Sequence, residues 1–150
     1  MVEKIVLPNG VRVLHERLDQ VRSCAIGVWV ENGSCHEPEE LSGISHFIEH
    51  MLFKGTETRT AGDLARAFDA LGGQVNAFTT KEHTCFYART LDTHVQQAAE
   101  LLQDMVLHSA FRPQDVELER GVILEEIGMY EDPPEDLVAE VLSGACYPGA

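Results

Sequence analysis

The order of patterns along this chain predicts an α+β fold: a mixed, largely antiparallel sheet covered by helices. Three observations carry that expectation. Strand-like segments come first, two amphipathic helical stretches follow, and two further strands precede a helical C-terminal part. An Asn-Gly turn sits between the first two alternating segments. The 150 residues, 44% of them hydrophobic, suffice for one domain with a packed core. Residues 3–7 and 11–17 alternate apolar and polar side chains around Pro8-Asn9-Gly10, where Asn-Gly supplies positive φ for a tight turn, so a β-hairpin opens the chain. The run Ser23 to Val30, closed by Asn32-Gly33, is too continuously apolar for an exposed strand and reads as a central one. A polar loop, Ser34 to Glu40, leads to the first helix, Ile44 to Phe53, with Ser42 as its cap and Gly55 as its stop. Asp63 to Leu71 forms the second helix, ended by Gly72-Gly73. Strands follow over 74–80 and 83–90. Helices are then expected over 92–107, over 114–130 with Pro113 in the first turn, and near 135–144 after Pro133-Pro134. The ending Tyr147-Pro148-Gly149-Ala150 leads into no capping element, so residues 1–150 read as a domain incomplete at its C-terminal end.

Composition narrows the function classes. Twenty-five acidic residues against 11 Lys plus Arg leave a formal charge of −14. The electrostatic term that dominates nucleic-acid binding is missing, and so is a basic patch for anionic lipid. Neither nucleic acid nor membrane is expected as a partner. No apolar stretch approaches the roughly 18 residues of a membrane span, and the N-terminus lacks the layout of a secretion signal. Cys24, Cys35, Cys85 and Cys146 are scattered without a CxxC pair, which suits small core residues in a reducing cytoplasm.

The chemistry lies in His46-Phe47-Ile48-Glu49-His50. One helical turn separates His46 from His50, with about 40° between them around the axis, so both imidazoles can reach one metal ion. Glu49 lies on the neighbouring edge of that face, where it can reach a water at the metal without ligating. A third ligand must come from elsewhere, and the helix bearing Glu117, Glu119, Glu125 and Glu126 is the best supplier. Spacing does not choose between Glu125 and Glu126, since each adjoins apolar residues of a possible buried stripe. Glu119 precedes Glu126 by two turns on the same face, but a rise of about 10 Å prevents both from binding one ion. On pattern alone Glu119 belongs to a solvated helix face. His15, His36, His83, His94 and His108 have no ligand spacing and read as surface or strand-filling residues.

His46 to His50, followed by Met51-Leu52-Phe53-Lys54-Gly55-Thr56, resembles the inverted zinc motif HxxEH of the pitrilysin and insulinase metallopeptidases, most closely their processing-peptidase branch. The resemblance extends to Leu7-Pro8-Asn9-Gly10-Val11-Arg12, to Gly72-Gly73-Gln74-Val75-Asn76-Ala77, and to the block Glu119 to Ile127. It implies an amino-terminal zinc-peptidase domain holding one zinc ion by His46, His50 and Glu126. It also implies Glu49 as general base and Glu119 as an acidic residue supporting the site. The strand from Gln74 to Thr80 resembles the family's substrate-binding edge, which makes Asn76 and Ala77 expected contacts for an extended peptide substrate. A second, similar domain or subunit is implied as partner, contributing substrate-binding groups absent from this chain.

The expected activity is therefore zinc-dependent endopeptidase cleavage of extended or unfolded polypeptide. Two other classes compete. One is a non-catalytic structural subunit of the same fold, which usually loses motif residues that are all present here. The other is a metal-dependent lyase of the S-ribosylhomocysteine type, whose third ligand is a cysteine in a context that neither Cys85 nor Cys146 matches. Glu125, Glu131, Asp132, Glu135 and Asp136 read as a solvated acidic face that could steer basic peptides.

Overall fold

In the computed structural model, which describes residues 1–131 together with Val138, Val141, Leu142, Ala145 and Cys146, strands β1 (Val2–Val6) and β2 (Arg12–Glu16) pair antiparallel as the opening hairpin. Its turn differs from the expected one. Gly10 N–H donates to Leu7 O at 2.9 Å, and only Gly10 adopts positive φ, 89°. Pro8 presets the second position of a turn starting at Leu7, which leaves the left-handed conformation to Gly10 and lets Asn9 Oδ1 accept from Val11 N.

Strands β3 (Ser23–Val30), β4 (Gln74–Thr79) and β5 (Thr84–Leu91) form a separate antiparallel sheet in the order β3-β5-β4. The expectation that Ser23 to Val30 is central is overturned: among the described residues β3 is an edge strand and β5 is the middle one. The reason is visible in the side chains. Thr84, Cys85, Phe86, Ala88 and Thr90 of β5 are buried, whereas β3 shows Ala25, Gly27 and Trp29 to solvent on alternate positions. The apolar run of β3 thus covers a core on one face only. On the opposite face Trp29 packs edge-on to Phe78 and against His83, at ring distances of 5.6 and 5.0 Å.

Helices α1 (Ile44–Leu52), α2 (Ala61–Ala70), α3 (Val95–Leu107) and α4 (Pro113–Glu131) follow the expected order. Helix α2 starts at Thr60, whose hydroxyl accepts from Asp63 N while the Asp63 carboxylate accepts from Thr60 N. It stops where Gly72 takes φ 60° and Gly72 and Gly73 donate back to Asp69 and Phe68. The core gathers Leu64 and Phe68 of α2, Phe86 and Ala88 of β5, Leu52 of α1, and Ala98, Leu101, Leu102 and Met105 of α3. Ser42 does not cap α1. Gly43, at φ 90°, is the cap residue and has no side chain to offer; both Glu37 carboxylate oxygens do the work instead, accepting from Gly43 N and Ser45 N at 2.6 and 2.7 Å. Burial works against the charge of Glu37. The hydrogen bonds from Ser45 and Gly43 outweigh it and hold the carboxyl below its ordinary value.

Of the four cysteines only Cys85 is a buried core residue. Cys24 is half-buried, and Cys35 and Cys146 are exposed. The helix expected over 135–144 falls, apart from Val138, Val141 and Leu142, outside the described residues, as do Asp132, Glu135 and Asp136. Among the described residues no helix is long and apolar enough to cross a membrane.

Candidate metal centre

Helix α1 lies against β4 on one side and α4 on the other, which brings its polar face between a sheet edge and a second helix. Met51 and Leu52 anchor α1 with 1% and 4% of their surface exposed. With that face held inward, His46 and His50 must emerge together toward α4.

They do. His46 Nε2 and His50 Nε2 are 3.1 Å apart, and Glu126 Oε2 lies 3.9 Å from the first and 3.6 Å from the second. Donor atoms 2.0–2.1 Å from a tetrahedral zinc ion stand about 3.3 Å from each other, so these three atoms have the spacing of ligands around one small divalent cation. Two imidazole nitrogens and one carboxylate oxygen also form a donor set suited to zinc. Among the described residues this is the one group of histidine, cysteine or carboxylate side chains with that proximity, and it includes no cysteine. Glu125, the alternative that spacing left open, is exposed. The inward stripe of α4 runs through Glu119 and Ile123 to Glu126, which is half-buried, while Leu124, Glu125 and Ile127 face solvent, so burial separates the two glutamates where spacing did not.

Glu119 is 3% exposed, which overturns its reading as part of a solvated face. Its Oε1 accepts from His50 Nδ1 at 2.8 Å, and Lys54 Nζ lies 2.5 Å from Oε2. Burial alone would raise the Glu119 pKa, but the hydrogen bonds and charges of Lys54 and His50 prevail and hold it below the ordinary carboxylate value. An ionised carboxylate only accepts, so His50 carries its ring hydrogen on Nδ1 and turns the lone pair of Nε2 toward His46 and Glu126. The two glutamates, two turns apart on α4, thus face opposite nitrogens of one imidazole.

Glu49 points toward the sheet. Thr79 Oγ1 at the end of β4 donates to Glu49 Oε2 at 2.5 Å, while Oε1 has no hydrogen-bond partner among the described residues. Asn76 and Ala77 lie in mid-strand with unbroken pairing, Asn76↔Tyr87 and Ala77↔Phe86. Neighbouring residues of a strand face opposite ways: Ala77 packs against the core while Asn76 is exposed on the far face. Thr80 N–H bonds His83 O across the β4–β5 turn, so by alternation the main-chain groups of Val75, Ala77 and Thr79 point outward from β4. Among the described residues no strand pairs with that edge, and Asn76 Oδ1 accepts from Ala77 N. Lys54, Thr79 and Glu37 are the residues that sequence reasoning missed as parts of this region. Only Lys54 had a signal, standing four residues after His50 at the helix end.

The family model described as Insulinase (Peptidase family M16) matches residues 12–149. The chain is 52% identical over 147 residues to the uncharacterized zinc protease YmxG of Bacillus subtilis, covering 98% of this chain and 36% of that protein. It is 39% identical over 141 residues to the probable mitochondrial-processing peptidase subunit beta of Arabidopsis thaliana, covering 94% of this chain and 27% of that one. A protease structure from Helicobacter pylori superposes with a TM-score of 0.87 at 26% identity, over 91% of this chain and 33% of the other. The chain therefore spans about a third of the length of the relatives it matches. From the model match over 12–149 and the identities across nearly its whole length, this chain belongs to the insulinase family of peptidases, family M16.

Proposed function

We propose that this chain is the metal-bearing, amino-terminal part of a zinc endopeptidase acting on extended or unfolded polypeptides. The observation that carries the reading is the convergence of His46, His50 and Glu126, with their ligand atoms within 4.8 Å of one another. The names of the relatives, several of them zinc proteases, support zinc as the metal. When bound, zinc lowers the pKa of a coordinated water toward about 7 and polarises a carbonyl.

The residues of the chain supply the rest. His46, His50 and Glu126 would hold one ion. Glu119 fixes the tautomer and ring plane of His50 by its 2.8 Å hydrogen bond. Glu49 Oε1 is the base that takes the proton of the attacking water and passes it to the departing amine. The outward main-chain groups of Val75, Ala77 and Thr79 offer an edge to which a substrate strand adds by backbone hydrogen bonds, with Asn76 swinging away from the Ala77 N–H as it does so. Selection then falls on strand-competent chain more than on its side chains. A second homologous domain or subunit would close the other side of the site. Support for that comes from relatives about three times as long, one of them named as a subunit.

The test compares wild type with Glu49→Gln in the full-length protein, measuring zinc by elemental analysis and cleavage of an unfolded polypeptide by mass spectrometry. Zinc retained at one ion with cleavage reduced by at least about 10²-fold in the variant is the expected result. Bound zinc without cleavage that depends on Glu49 would favour a non-catalytic scaffold.

A further inference from the structure

We infer that Thr79 is a positioning residue for Glu49, fixing one carboxylate oxygen so that the other faces the reacting water; this rests on the reading of Glu49 as the base. Of the two Glu49 oxygens, Oε2 accepts from Thr79 Oγ1 at 2.5 Å and Oε1 is left without a partner among the described residues. A glutamate turns freely about its terminal torsion unless something holds one oxygen, and Thr79 is the hydroxyl that does so.

Thr79 is itself held. Thr84 Oγ1, on the neighbouring strand in the pair Thr79↔Thr84, packs 3.4 Å from Thr79 Oγ1 and spends its own proton on Asn32 O at 3.0 Å. With the Thr84 proton committed to Asn32, the single Thr79 proton goes to Glu49. Asn32 in turn donates from Nδ2 to Ser45 Oγ at 3.1 Å, and Ser45 is in the first turn of α1, one residue before His46. The contacts thus run from the sheet to Glu49 and back through Asn32 to the start of the helix that bears it. Thr84 and Ser45 are buried, with 6% and 5% of their surface exposed, so neither competes with bulk water for these bonds. The outward main chain of Thr79 also belongs to the edge where a substrate strand would add, so one residue joins the docking edge to the base.

The experiment measures kcat, KM and zinc content of the full-length protein as wild type, Glu49→Gln, Thr79→Val, Thr79→Ala and Thr79→Ser. Thr79→Val and Thr79→Ala are expected to lose roughly tenfold or more in kcat with KM and zinc content held within about twofold, and Thr79→Ser to recover to within about threefold of wild type. Ala keeps the test decisive if Val does not fold. Unchanged kcat in Thr79→Val or Thr79→Ala, or a Thr79→Ser variant as slow as these two, overturns the role of the hydroxyl. Loss of zinc in all three Thr79 variants overturns it as well, by making Thr79 a support of the fold. If wild type shows no cleavage beyond Glu49→Gln, the base assignment itself fails and this inference falls with it.

Discussion

His50 is the residue on which the site turns, because each of its nitrogens meets a different glutamate of α4. Glu119 sits on Nδ1 and Glu126 near Nε2. The i, i+4 spacing of His46 and His50 made these two legible in the sequence, since a helix of known pitch places both rings on one side. Glu126 was not separable from Glu125 by spacing, because both have apolar neighbours and only the fold shows that the buried stripe runs through Ile123 to Glu126 and leaves Glu125 in solvent. For Glu119 pattern alone points to solvent and only the family resemblance to the site: a carboxylate is normally solvated, and the meeting of α1 with α4 supplies the Lys54 and His50 donors that make its burial tolerable. Replacing it tests this. Glu119→Gln keeps the shape but removes the charge that holds the His50 tautomer, and zinc affinity is expected to fall about 10- to 100-fold in a competitive chelator titration.

At the scale of elements, the helices were readable to within a few residues because their apolar spacing and stop signals are local. Their caps were not. Thr60 and Asp63 form a capping box within four residues of sequence, whereas α1 takes its cap from Glu37, across a polar loop that no periodicity describes. Gly33 helps to place that loop: a Cβ there would stand 2.3 Å from Thr80 O, so only glycine lets the segment before Glu37 run against the β4–β5 turn. The α2 box carries a pH signature. The hydroxyl and backbone of Thr60, with Arg66 added, depress Asp63 to about 2 from the ordinary aspartate value of 3.8. Asp63 is therefore ionised and capping above about pH 4, and its contribution disappears as the pH falls through 2. Denaturation followed between pH 4.5 and 2 should show a shallower loss of stability in Asp63→Asn than in wild type.

For the molecule as a whole, the candidate metal site is a junction between parts distant in sequence: α1 at 44–52 and α4 at 113–131. A cation shared by His46, His50 and Glu126 would tie them together, and any ligand of the native state alone raises stability by mass action. Zinc-loaded protein should therefore melt at higher temperature than protein treated with chelator. Adding zinc back should restore the difference in wild type but not in Glu126→Ala, as read by calorimetry. The sheet makes the same point about distance. The almost continuously apolar run was enough to show that Ser23–Val30 is a strand, yet its edge position depends on where β5 inserts, some 60 residues later.

The chain by itself determined the class of fold and the bounds of most elements, and it pointed to two of the three expected metal ligands, because helical pitch and turn residues act over a few residues. The resemblance of four blocks to a peptidase family extended that to Glu126 and Glu119 and gave Glu49, already placed beside the metal face by helix geometry, its expected role as base. Only the tertiary structure decided which strand is central, how α1 is capped, that Glu119 is buried against Lys54, and that Thr79 holds Glu49. The strand order and the Glu119 and Thr79 contacts depend on residues 30 to 70 positions apart meeting in space, and the α1 cap on the path of an irregular loop, and sequence spacing carries no measure of either.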